Sequence, residues 1–126
     1  MPSYTRDMLN DREPVYIQIV KRIKSDIISG KLQNGDSLPS RRELAISLEI
    51  NPNTVQKAYK ILEDEGITST ENTAKSLVSV SEEKIKTIKT ELALESALSF
   101  IEAMKEMNID EKEASELLHS IWRDKE

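Results

Sequence analysis

Apolar positions recur with helical period in five stretches of this chain. In the first, Tyr16, Ile19, Val20, Ile23 and Ile27 define one inward stripe. Pro14 opens that helix, where a missing N–H costs nothing, and Ser29 and Gly30 close it. The second stretch is short: Leu44, Ala45 and Leu48 follow Ser40 and Glu43, a capping box, and the helix ends near Glu49. In the third, Asn51 is an N-cap, Pro52 takes the first helical position, and Val55, Ala58, Tyr59 and Leu62 face inward. It runs to about Glu65 and stops at Gly66.

Two helices joined by a few residues, the second starting at a strong cap, fit a helix-turn-helix. Residues 31–39 are turn-rich, with room at Ser37 and Leu38 for one short extended pairing. Residues 67–71 and 76–80 are short extended segments around Asn72 and Thr73, and a hairpin there makes a wing. From Ser81 the composition changes. A long helix to about Met107 carries Ile85, Ile88, Leu92, Leu94, Ala97, Leu98, Ile101 and Met104 in a drifting stripe. Asn108 breaks it, and Asp110 with Glu113 forms a second capping box, with Ile109 stapled onto Ala114. Ala114, Leu117, Leu118, Ile121 and Trp122 share one face of the last helix. The fold expected is mainly α with a small β-wing. Residues 1–12 form a flexible arm, residues 13–80 a winged helix-turn-helix, and residues 81–126 a helical tail.

Composition narrows the chemistry. The 126 residues allow one modest core with an appendage, and leave no room for a further catalytic or sensing domain. The absence of cysteine excludes disulfides, cysteine zinc sites and thiol redox chemistry. No apolar run approaches a membrane span, and the first residues lack a leader's apolar stretch, so a soluble cytoplasmic protein is expected. The net charge of −5 is unevenly placed: residues 1–80 balance 11 Lys/Arg against 11 Asp/Glu, whereas residues 81–126 hold 7 against 12. The first part can therefore meet phosphates if its basic groups share a face. Charge alone leaves an ordinary acidic protein equally open.

Three segments carry a more specific signal: EPVYIQIVKRIKSDIISGKL, GDSLPSRRELA and INPNTVQKAYKILEDEG. In order, spacing and helix ends they resemble the DNA-binding domain of the GntR family of bacterial regulators. INPNTVQKAY is similar to the subgroup named after YtrA, whose members carry a short two-helix dimerisation tail in place of a large effector domain. The resemblance implies a transcription regulator, often of neighbouring transporter genes. Two departures stand out. The family wing often has a glycine-rich turn, here ENTAKS, and many relatives carry arginines where Pro52 and Gln56 stand. Sequence readout is therefore expected to lean on amides.

A recognition helix presents its N-terminal side chains to the major groove. Here these are Asn51, Asn53, Thr54, Gln56 and Lys57. Asn and Gln pair with adenine, and Thr touches a thymine methyl. The resemblance places Arg42 at a DNA-contacting position. Arg41 and Lys60 are candidate phosphate partners, and Lys75 a candidate wing anchor. Each has a plainer reading: Asn51 caps a helix in any protein, Gln56 and Lys57 suit any solvated helix, and Arg42 can pair with Glu43 or Glu49. His119, the single histidine, makes a poor metal site and is read as a surface or interface residue, and Glu111, Glu113 and Glu116 as a solvated face. No metal, cofactor, nucleophilic triad or phosphate loop is expected.

The tail stripes need a cover that 45 or so residues cannot supply alone. Leu94, Leu98, Ile101, Leu117, Leu118, Ile121 and Trp122 are therefore assigned to a homodimer interface, matching two half-sites of an inverted repeat. The tail is expected to hold no roomy pocket, so a small-molecule effector would bind at the dimer interface or between tail and head. The leading function is a dimeric DNA-binding regulator, a repressor more often than an activator. The alternative is an interaction module that kept the fold and lost DNA binding. An enzyme is not expected, since the aminotransferase-like domain of some relatives has no room here and no lysine stands in a recognisable cofactor site.

Overall fold

The computed structural model describes residues 2–70 and 75–125. Contacts divide the chain into two compact units, Met1–Lys89 and Thr90–Glu126, each taken below by itself.

The first unit is built on three helices. Helix α1 spans Val15–Ile28, α2 Arg41–Leu48 and α3 Pro52–Asp64. Their inward stripes meet: Ile19, Val20, Ile23 and Ile27 from α1, Leu44, Ala45 and Leu48 from α2, and Val55, Ala58, Tyr59 and Leu62 from α3 are all buried. Packing of α3 against both α1 and α2 follows from this spacing, because an apolar stripe is stable only against another one. Tyr16, expected in the stripe, is only half-buried.

Local chemistry sets the helix ends. Pro14 is the N-cap of α1, one residue before the position expected of it. Gly30 then takes φ +82°, a left-handed conformation that glycine adopts without a Cβ penalty. The Ser40 hydroxyl accepts from the Glu43 N–H at 3.0 Å while the Glu43 carboxylate accepts from the Ser40 N–H at 3.2 Å, so the expected capping box is present. Hydrogen bonds from the Ser40 hydroxyl and the Ser40 N–H to the ionised form hold the Glu43 carboxyl below the usual glutamate range. Glu49 ends α2 at φ 56°, left-handed without being glycine. At the next helix start, Asn51 Oδ1 accepts from the Asn53 N–H at 2.8 Å, with Pro52 in the first turn.

Strands β1, Thr68–Thr70, and β2, Ser76–Val78, pair antiparallel with Ser69 opposite Leu77. Both are shorter than expected. Residue 71 and the anticipated turn at Asn72 and Thr73 lie outside the described residues. The pairing anticipated at Ser37 and Leu38 forms on the free edge of β2: Ser37 bridges to Leu77, and the Leu38 N–H donates to the Ser76 carbonyl at 2.8 Å. The Asn34 side chain completes the edge by accepting from the Val80 N–H at 2.7 Å and donating to its carbonyl at 2.8 Å.

The segment before α1 is held down, where the sequence suggested a flexible arm. Tyr4 is buried, and its O–H donates to Asp26 Oδ2 at 2.7 Å. Asp26 is itself 2 % exposed, a buried carboxylate on an otherwise apolar face, with Arg22 Nε at 3.6 Å. Burial and the neighbouring carboxylate push the Tyr4 hydroxyl pKa far above its ordinary value. A 3₁₀ turn at Arg6–Met8 brings the Arg6 guanidinium to the carbonyls of Leu48 at 3.3 Å and Glu49 at 3.2 Å. These contacts join residues 22 and more apart in sequence, which helical periodicity does not register.

Helix α4, Glu82–Glu106, starts as expected behind Ser81, whose hydroxyl accepts from the Lys84 N–H at 3.0 Å. The division between units falls inside this helix, after Lys89, whereas composition placed it after Val80. Ile88 explains the difference: it is 1 % exposed, so the first two turns of α4 belong to the core of the first unit.

In the second unit the rest of α4 turns at Asn108, with φ 57°, into α5, Glu111–Trp122. The Asp110 side chain accepts from the Glu113 N–H at 2.9 Å, so the N-cap half of the second capping box is formed. Between the two helices runs an open groove of about 870 Å³, floored by Ala97, Phe100, Met104, Ala114 and Leu118 and reaching Trp122. The tail was expected to hold no roomy pocket. Small side chains at Ala93, Ala97 and Ala114 leave this space between the helices. Among the described residues no helix is long and apolar enough to cross a membrane.

Candidate nucleic-acid interface

With Val55, Ala58, Tyr59 and Leu62 buried, the other side of α3 is left to solvent. Asn53, Gln56, Lys57 and Lys60 stand at i, i+3, i+4 and i+7 and share that exposed face. Asn51 is exposed at its start, and Thr54 is half-buried beside it. Because Asn51 Oδ1 is engaged in capping, the end of that amide left for a ligand is its Nδ2 donor.

Helix α2 adds Arg41, half-buried, and Arg42, exposed. Among the described residues Arg42 forms no ion pair with Glu43 or Glu49, the plainer roles open to it. Arg41 is engaged. Its guanidinium lies 5.2 Å from the centroid of the Tyr59 ring, and its Nε donates to Gln56 Oε1. Lys75, at the foot of β2, is exposed, and its charge reaches Glu43 and helps to lower that carboxyl's pKa. The wing base therefore lies near the start of α2.

Two basic side chains on the α3 face have protein partners. Lys57 Nζ sits 3.9 Å over the Tyr16 ring of α1, a cation–π contact. Lys60 Nζ is 3.4 Å from Asp64 Oδ1, an exposed pair that is easily exchanged for another anion. Sequence reasoning placed Tyr16 and Tyr59 in the core stripe and missed their second use as platforms for cations. The available signal was the phenol itself: Tyr59, though buried, keeps its O–H bonded to the Pro39 carbonyl at 2.7 Å. Burial raises its pKa well above the ordinary value, so it remains a neutral donor.

A short helix, a three-residue turn, a second helix with a polar and basic outer face, and a hairpin at its end together define a winged helix-turn-helix of the DNA-binding type. The comparisons agree. Residues 15–74 match the model of the bacterial regulatory proteins of the gntR family. The HTH-type transcriptional regulator YhcF of Bacillus subtilis is 34 % identical over 104 residues, covering 82 % of this chain and 86 % of that protein. The repressor YtrA of Bacillus subtilis is 53 % identical over 57 residues, covering 45 % of this chain and 44 % of YtrA. A GntR family regulator from Listeria monocytogenes superposes with TM-score 0.75 at 34 % identity, covering 89 % of this chain and 98 % of that one. The chain belongs to the GntR family of transcription regulators, and within it is of the YtrA-like kind with a short helical C-terminal segment. The family and these relatives are regulators of transcription, not enzymes.

Proposed function

We propose that this regulator is a cytoplasmic homodimer that binds an inverted-repeat operator and represses transcription. The observation that carries the reading is the outer face of α3. Asn53, Gln56, Lys57 and Lys60 are presented there in a row, with Arg42 exposed on α2. Amides and cations at that spacing serve base edges and phosphates respectively. Arg42 and Lys60 hold phosphates, Lys75 anchors the wing base to the backbone, and Asn51, Asn53, Thr54, Gln56 and Lys57 face the groove.

The second unit supports the dimer. Leu94, Leu98 and Ile101 on α4 and Leu117, Leu118, Ile121 and Trp122 on α5 are between 39 % and 68 % exposed. A cluster of that size on a helical pair is the signature of a surface that another chain covers. Repression as the sign of regulation is supported by YtrA, a named repressor. A small-molecule effector, if one acts, has the tail groove open to it as well as the dimer interface.

The test is fluorescence anisotropy of the full chain on duplexes from upstream of its own gene and on a random duplex, across a salt series. Sequence-selective binding is expected, with a log–log salt slope of several units at about 0.9 per phosphate neutralised. Arg42→Ala should lower affinity on every duplex, and Gln56→Ala only on the selected one. Failure to bind even the random duplex at low salt would leave the interaction-module reading in its place.

A further inference from the structure

We propose that Arg41 is a positioning residue: it fixes which end of the Gln56 amide faces DNA and thereby sets the base that Gln56 accepts. The inference rests on α3 being the DNA-reading helix. A glutamine on a helix surface ends in an acceptor, Oε1, and a donor, Nε2, and rotation of the terminal amide exchanges the two at little cost. Left to itself in water, Gln56 would offer either end.

Arg41 removes that freedom. A guanidinium has only donors, and its Nε–H is directed at Gln56 Oε1. The oxygen end must therefore point to Arg41 and the Nε2 donors to the other side. Arg41 is in turn held in place. It stacks on Tyr59, whose ring is 1 % exposed and whose O–H is fixed to the Pro39 carbonyl at 2.7 Å. A chain of four contacting residues thus runs from the loop before α2, through the core, to the tip of a base-reading side chain. This geometry gives Arg41 a role beyond that of a phosphate contact.

The consequence is a base preference. Donors pointing into the major groove are satisfied by the N7 or O6 of guanine, the N7 of adenine or the O4 of thymine, whereas the groove edge of cytosine offers only its N4 donor. Adenine is then met through its N7 alone, since the Oε1 end is turned to Arg41. Cytosine is the base this arrangement rejects, by about tenfold on the usual scale of one paired contact. Without Arg41 the amide turns over and cytosine is tolerated.

The experiment is selection of bound duplexes from a random-sequence library by the full-length protein and by Gln56→Ala, Arg41→Ala and Arg41→Lys, followed by anisotropy on the selected site. Gln56→Ala identifies the position that Gln56 reads. The native protein is expected to reject cytosine there about tenfold, and both Arg41 variants to lose that rejection. Arg41→Lys should do so with the native salt slope, because lysine keeps the charge and lacks the planar Nε–H donor. Should Arg41→Ala fail to fold, Arg41→Lys carries the test. Retained rejection of cytosine in the Arg41 variants overturns the proposal. So does a slope lower by about 0.9 in Arg41→Ala and restored by lysine, which would make Arg41 a phosphate contact. Native protein that binds duplexes but selects no base through Gln56 sinks this inference alone, whereas native protein that binds no duplex at all sinks the DNA-binding reading beneath it.

Discussion

One helix passes through both units of this molecule, and its two ends differ. Ile88 on α4 is 1 % exposed, while Leu94, less than two turns later on the same helix, is 58 % exposed. The first unit buries the stripes of three helices and, in its wing, Thr68, Ser76 and Val78. In the second, no described residue is buried, although Leu98, Ile101, Leu117, Leu118 and Trp122 are as apolar as anything in the head. Apolar content is similar in kind, and what differs is whether the single chain supplies a partner surface. A stripe on a pair of helices has one face too many for two elements to cover. The head thus buries its own stripes, whereas the tail leaves its stripes exposed, and under the proposed dimer a second copy covers them.

The strongest break of this contrast is charge on the tail. Leu98→Asp combined with Leu118→Asp is expected to raise the dimer dissociation constant by about 100-fold or more, since each carboxylate would have to be desolvated at the interface. Sedimentation should then show a monomer, with circular dichroism retaining the helical signal of the head. A doubly charged variant that stays dimeric would place the interface elsewhere.

A smaller effect sharpens the comparison along α4. Ile88→Ala should cost about 2–5 kcal/mol of stability in denaturant unfolding, the usual range for emptying a filled core site. Leu94→Ala on a dilute monomeric sample should cost within about 0.5 kcal/mol, as for an exposed site. Equal losses would mean that the two ends of the helix are packed alike.

A loss smaller than that at Ile88 is expected in the N-terminal segment. Tyr4→Phe leaves the Asp26 carboxylate, 2 % exposed, without its 2.7 Å donor. A loss of about 1–3 kcal/mol is expected from an unsatisfied buried acceptor, with Arg22 at 3.6 Å offsetting part of it. Hydrogen exchange at residues 2–12 should rise in the same variant. Unchanged stability and exchange would restore the flexible arm that the sequence suggested.

Legibility followed sequence distance. The stripes of α1, α2 and α3 and the caps at Ser40, Glu43 and Asn51 could be read directly, because each depends on residues three or four apart on one helix. Candidate reader positions on α3 were legible for the same reason: once the buried face is known, the exposed one follows. The Tyr4–Asp26 bond was not, nor was the extension of the head to Ile88, since periodicity identifies an apolar face without naming what it meets.

The amino-acid sequence by itself determined the helices, their ends, the outer face of α3 and the apolar stripes of the tail, all through short-range backbone geometry and side-chain polarity. Only the tertiary structure decided what these surfaces touch. It seated Lys57 over Tyr16, tied Arg41 to Tyr59 and Gln56, and left an open groove between α4 and α5. The physical reason is that a pairwise contact depends on the relative placement of elements, which packing of the whole core sets and no local pattern encodes.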